Sequence, residues 1–289
     1  MAEGTAGDGP VVSLRRAAEL LDVHYMTAYR YVRTGVLAAT KVGSEWQVRV
    51  EDVSALADPT PAVEGGGGHR TAHAWKRLRG RLVAGDEAGA WKVIETAMVG
   101  GLDPREVLTD LMVPALASIG EGWAAGEVTI AEEHRASAVT QRIIGRLGPR
   151  FARRGRKRGT IMVGAVQGDQ HSIPSSILAD ILRGAGYGVC DLGANCPVDT
   201  VVAMAVATPR LVAVCLSVTA TDVSASAPVT TAALRRALGP GVVILVGGGA
   251  VPDAETAARL GSDGFAPDAD AALALVDDLV SGAGVSAPT

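Results

Sequence analysis

The stretch TIMVGAVQGDQHSIP, residues 160–174, decides the reading of the C-terminal half of the chain. An apolar run stops at Gln167-Gly168, and Asp169, His171 and Pro174 follow at once. A short apolar run bounded by turn residues reads as a strand buried on both faces, the kind that parallel sheets use. VCDL (189–192), LVAVCLSV (211–218) and VVILVGGG (242–249) repeat the pattern. Helical stretches are expected between and after these runs, at 175–185, 198–207, 230–238 and 254–260. The alternation predicts a doubly wound, Rossmann-like α/β domain over 159–282. Such sheets bind ligands beyond the carboxyl ends of their strands. The chemical residues fall there: Asp169-Gln170-His171-Ser172-Ile173-Pro174, then Ser217-Val218-Thr219, then Gly247-Gly248.

Upstream, residues 69–152 break into four helical segments joined by short connections, which suits a bundle. Asp86 precedes a segment carrying Trp91, Ile94 and Met98. Asp103-Pro104 places a cap before a proline at the first helical position, ahead of Val107, Leu111 and Leu116. Thr129-Ile130-Ala131-Glu132 reads as a capping box. Between the last two helices, nine residues separate Trp123 from Glu133-His134. Gly126 ends one helical region and Thr129 opens the next, so Trp123 and the Glu-His pair can face a common ligand.

The N-terminal 11–58 reads as a winged helix-turn-helix. Ser13 caps a first helix with Ala17, Leu20 and Leu21 as its buried stripe. Val23 sits in the turn. A second helix turns Ala28, Val32 and Leu37 inward and His24, Tyr25, Arg30 and Arg33 outward, and Gly35 stops it. KVGSEWQVRV, turning at Gly43-Ser44, reads as a hairpin wing. Thr27, Tyr29, Arg30, Arg33 and Arg49 are the candidate DNA contacts. Six Lys/Arg stand against five Asp/Glu over residues 11–57, so a single copy is expected to bind weakly and a homo-oligomer to add avidity. PTPAVEGGGG, within 59–68, has the composition of a flexible linker.

The bounds agree with this division. The chain has 289 residues and a net charge of −4, too acidic for a general nucleic-acid coat. The longest apolar stretch, near Val201–Ala220, is broken by Pro209 and Arg210, so no membrane span is expected. The first ten residues lack a signal-peptide pattern, and Cys190, Cys196 and Cys215 read as reduced core thiols, which points to the cytoplasm.

Two resemblances follow from these residues. Residues 11–58 resemble excisionase-like and MerR-like winged modules, which implies a recognition helix in the major groove of operator DNA. The C-terminal strings resemble the cobalamin-binding signature D-x-H-x-x-G, S-x-L, G-G. The resemblance supplies family gaps of about 41–42 and 26–28 residues. Here 42 residues separate Pro174 from Ser217, and 27 separate Thr219 from Gly247. Together with W-x9-E-H this is similar to the CarH/LitR-type light-sensing repressors, which use adenosylcobalamin. The resemblance implies His171 as lower cobalt ligand with Asp169 behind it. Ser172, Ile173, Ser217, Thr219, Gly247 and Gly248 would line the cofactor and its nucleotide tail. Trp123 and Glu133 would surround the adenosyl group, with His134 taking cobalt after photolysis. Pro174 in place of Gly, and Thr219 in place of Leu, depart from the signature. No enzymatic step is implied. Two other readings stand beside this one: a corrinoid carrier of a methyltransferase system, and a regulator sensing another ligand through a degenerate pocket.

Overall fold

A computed structural model describes residues 10–21, 23–33, 37–43, 45–57 and 68–282. Most of the linker expected at 59–68, the Gly35 stop, and the side chain of Arg30 lie outside the described residues. The chain divides into two compact units, residues 1–139 and 140–289.

In the first unit, three strands form an antiparallel sheet in the order β1 (Val11–Ser13), β3 (Glu45–Arg49), β2 (Ala39–Val42). The β2–β3 pair is the expected wing, and β1 adds an edge to it. Ser13 ends β1 and caps the Leu14–Leu20 helix, accepting from the Arg16 N–H at 3.3 Å. Leu14, Ala17, Ala18, Ala28, Leu37, Val48 and Val53 form the buried core. The expected stripe is corrected at Leu20, which is 44% exposed. With only seven residues in the helix, the three- and four-residue spacing from Leu14 selects Ala17 and Ala18 instead. The Tyr25–Arg33 helix follows, with Tyr29 and Val32 packed on the core.

Four helical passes come next: Gly68–Ala84, Glu87–Val99, Pro104–Ala124 and Ile130–Leu147. Asp86 caps the second through the Gly89 N–H. Asp103 and Glu106 form a reciprocal capping box at the third, and Thr129 and Glu132 one at the fourth. The third pass widens into a π-turn at Val107–Met112 just ahead of Pro114. A proline lacks the N–H that its turn would use, and a π-turn absorbs the mismatch. Arg135 of the fourth pass is tied to the first through bonds to the Val83 carbonyl.

In the second unit, β4 (Thr160–Ala165), β5 (Gly188–Asp191), β6 (Leu211–Ser217) and β7 (Val243–Gly247) form a parallel sheet in the order β5-β4-β6-β7. Helices Ile173–Gly184, Val198–Ala207, Ser226–Leu238, Ala254–Arg259 and Ala269–Gly282 connect and follow them. The fold is the expected doubly wound α/β sheet. Strand order reverses at β4, between β5 and β6, which makes the carboxyl ends of β4 and β6 the switch point. All three cysteines are free thiols, and burial pushes the Cys215 thiol up to about 12. Among the described residues, no helix is long and apolar enough to cross a membrane.

Candidate functional site

Asp169 and His171 lie in the loop leaving β4, and Thr219 in the loop leaving β6. The topology therefore brings together residues some 50 positions apart. The Asp169 carboxylate is buried and saturated with donors. It accepts from the Thr219 N–H at 2.7 Å, the Thr219 hydroxyl at 2.8 Å and the His171 N–H at 3.0 Å. The His171 Nδ1 lies 2.7 Å from Asp169 Oδ1 and 2.7 Å from Thr219 Oγ1. Burial alone would raise the Asp169 pKa, but the bonds from Thr219 and then His171 outweigh it and hold the carboxyl below its usual range. A carboxylate acceptor fixes the ring proton on Nδ1, which leaves the Nε2 lone pair as the available ligand atom. The His171 side chain is 58% exposed, so that nitrogen is reachable.

The departures from the signature now have physical accounts. Pro174 falls in the first turn of the Ile173–Gly184 helix, where an amide N–H has no intrahelical partner and proline costs nothing. Thr219 contributes a hydroxyl, which leucine could not, and spends it on Asp169 and His171. Ser172 sits at the cap position of the same helix, and its hydroxyl accepts from Gln141 at 3.2 Å. Ile173 is the first helical residue.

Ser217 and Gly247 are register partners on β6 and β7. The Ser217 hydroxyl is buried with no hydrogen-bond partner, and a Cβ built on Gly247 would meet nothing within 4 Å. An orphaned buried hydroxyl beside open space over a glycine fits a polar appendage of a ligand, and these residues suit the cobalamin nucleotide tail. Gly248 does a different job. Its φ is +111° and a Cβ there would stand 2.5 Å from the Val218 carbonyl oxygen, so its missing side chain lets the loop carrying Thr219 pack closely.

Asn195 was not anticipated. It sits at φ 52° beyond β5, donates its N–H to the Asp169 carbonyl at 2.7 Å, and accepts the Gly168 N–H at 2.8 Å. The detectable signal was an asparagine, which tolerates that backbone region better than most residues other than glycine, at the carboxyl end of a strand.

In the first unit, Glu133 and His134 stand in the first turn of their helix. Glu133 accepts from the Ser137 hydroxyl at 2.7 Å and lies 2.7 Å from His134 Nδ1. Trp123, at the end of the preceding pass, is 53% exposed. Among the described residues no hydrogen bond or ring contact joins Trp123 to that pair. Of the candidate DNA contacts, Arg33 and Arg49 are exposed, Thr27 and Tyr29 half-buried. His24, expected to face outward, is turned inward (side chain 10% exposed).

Comparison with known proteins fits this geometry. Residues 11–58 match a helix-turn-helix domain, and residues 74–147 and 159–276 each match a B12 binding domain. The chain is a cobalamin-binding protein with a helix-turn-helix domain. It is 27% identical over 218 residues to a corrinoid protein of Desulfitobacterium hafniense, covering 70% of this chain and 95% of that one. It is 30% identical over 120 residues to the trimethylamine corrinoid protein of Methanosarcina barkeri, covering 40% of this chain and 55% of that one. The structure of the Methanosarcina barkeri monomethylamine corrinoid protein shares the fold, with a TM-score of 0.63 at 20% identity over 71% of this chain and 98% of that one. These relatives overturn two expectations. The kinship is with corrinoid proteins, so the photoreceptor and MerR-like assignments are withdrawn.

Proposed function

We propose that this chain is a corrinoid-responsive DNA-binding regulator, with His171 as the lower axial ligand to cobalt. The arrangement of Asp169, Thr219 and His171 carries the reading, because it presents one fixed imidazole nitrogen to a ligand. When bound, the corrinoid would supply a cobalt centre, and His171 Nε2 is the nitrogen that would hold it. Asp169 and Thr219 would orient the ring, Ser217 and Gly247 would receive the tail, and Trp123, Glu133 and His134 are the residues proposed for the corrinoid's upper group, an adenosyl. The helix-turn-helix then reads operator DNA, with a homo-oligomer supplying avidity. Absorption spectra of the protein titrated with adenosyl-, methyl- and hydroxocobalamin, each followed by DNA-binding measurements, test this. The expected result is a histidine-coordinated spectrum and a DNA affinity that depends on the corrinoid.

A second reading is favoured by the relatives: a corrinoid carrier of a methyl-transfer system. Nearly the whole length of one corrinoid protein aligns to this chain, and its match accounts for 70% of the chain. The helix-turn-helix has no part in that chemistry. DNA affinity indifferent to every corrinoid, with methyl transfer to and from the bound cofactor, would establish the carrier instead.

A further inference from the structure

The first unit holds a contact that neither cobalamin binding nor DNA reading explains. His24 stands immediately before the Tyr25–Arg33 helix. Its Nδ1 accepts the Met26 N–H at 3.2 Å, so the imidazole serves as the helix cap. Its ring meets Trp75 of the Gly68–Ala84 helix edge to face, with centroids 5.8 Å apart. Its Nε2 points to Glu121, 3.8 Å away on the Pro104–Ala124 pass.

This seam is badly satisfied. His24 Nε2, Trp75 Nε1 and Arg79 Nε are all buried without a hydrogen-bond partner. Arg79 belongs to the same helix as Trp75, and its guanidinium lies against Gly122, next to Glu121. Buried orphan donors are costly, and three on neighbouring residues mark a contact that is easily exchanged for another. Burial holds the His24 imidazole below its usual range, against the opposing charge of Glu121, and the neutral ring is the form in which Nδ1 can accept.

The occupied end of the helix is the one that matters for DNA. Recognition helices present their N-terminal residues to base edges, and helix N-termini attract phosphate. Against the bundle, that end faces an indole and a carboxylate. We propose that Trp75 and Glu121 form a seat for the N-terminus of the Tyr25–Arg33 helix, and that DNA and this seat compete for it. Glu121 lies two residues before Trp123 on the same helix, so a shift of the Trp123 segment moves the seat directly. The inference rests on the reading of residues 11–58 as a DNA reader.

The test uses the full chain and a short mixed-sequence duplex at fixed low salt, together with hydrogen exchange of the Met26, Thr27 and Ala28 amides. Trp75→Leu should speed that exchange and raise duplex affinity about tenfold, within the usual range of coupling between sites. Glu121→Gln, at an exposed position that leaves the bundle core intact, should raise affinity about threefold, as expected for losing part of such a coupling. Glu127→Gln makes the same charge change elsewhere and should leave affinity unaltered. Unchanged exchange in both seat variants overturns the seat. Faster exchange with no duplex binding by any form overturns the DNA reading and the competition with it. Equal gains for Glu121→Gln and Glu127→Gln reduce the effect to net charge and overturn the competition.

Discussion

His171 and His134 each place Nδ1 2.7 Å from a neighbouring carboxylate, but Asp169 is sealed from solvent while the Glu133 side chain is 28% exposed. The first carboxylate receives bonds from four groups on two loops. The second is held by Ser137 and His134 of its own helix. One histidine is fixed before any ligand arrives, by bonds to Asp169 and Thr219. The other belongs to an open polar face. A metal site needs its invariant ligand preorganised. A face that must accept or release an upper group works better with little structure of its own.

The sharpest way to break this contrast is at the fixed end. His171→Ala should abolish histidine coordination in the bound-cobalamin spectrum while the protein still folds, because the ring is mostly exposed. Asp169→Asn should weaken cofactor binding by about 10- to 100-fold, as loss of an outer partner does. It should also cost about 1–3 kcal/mol of stability in denaturant unfolding, since Thr219 and His171 lose a buried charged acceptor. The sign with pH follows from a carboxyl held below its usual value. Its contribution is complete above the ordinary carboxylate range and disappears as pH falls through the depressed value. Asp169→Asn should therefore flatten the acid limb of the stability profile. A wild-type spectrum in His171→Ala would remove the lower-ligand assignment.

Two adjacent glycines sharpen the comparison from within the fixed region. Gly248→Ala puts a methyl against the Val218 carbonyl at a positive φ and should cost about 1–3 kcal/mol, measured without cofactor. Gly247→Ala should leave apo stability within about 0.5 kcal/mol and weaken only cobalamin binding. Equal behaviour of the two would mean that the open space over Gly247 is not a ligand slot.

Thr219 is expected to matter less. Thr219→Val keeps shape and backbone N–H but deletes the hydroxyl shared by Asp169 and His171, at about 1 kcal/mol. Thr219→Ser should recover both stability and the histidine-coordinated spectrum. A valine variant indistinguishable from wild type would assign the orientation of His171 to Asp169 alone.

The fixed region was also the more legible one. Apolar runs ending in Asp, His, Ser and Gly announced strands and their functional ends, because a parallel sheet forces both the run and the position of its loops. What stayed hidden were pairings set by tertiary packing. Nothing local to Thr219 announces that its hydroxyl reaches back 50 positions, and the motif counted it as a defect. Asn195 supports the Asp169 loop from a third strand end. His24 looked like an outward residue of a recognition helix, because the partner that turns it inward lies about 50 residues later in another helix. Kinship was misread for a related reason. W-x9-E-H lies on an exposed face, where few contacts restrict which residues are compatible with the fold.

That open face gives the last and smallest expected effect. Trp123 is half exposed and the His134 side chain 72% exposed, so neither supports much of the apo fold. Trp123→Ala and His134→Ala should each change apo stability by no more than about 0.5 kcal/mol, the usual range for surface positions. Their effect should emerge only with the cofactor. Trp123→Ala should lower affinity for adenosylcobalamin more than for hydroxocobalamin, because only the former carries a bulky upper group for the indole to cover. The matching measurement on His171→Ala should lower affinity for both, since both present cobalt to the imidazole. If Trp123→Ala instead unfolds the bundle, or weakens both cobalamins equally, the face is structural and the division between a fixed lower side and an adaptable upper side fails.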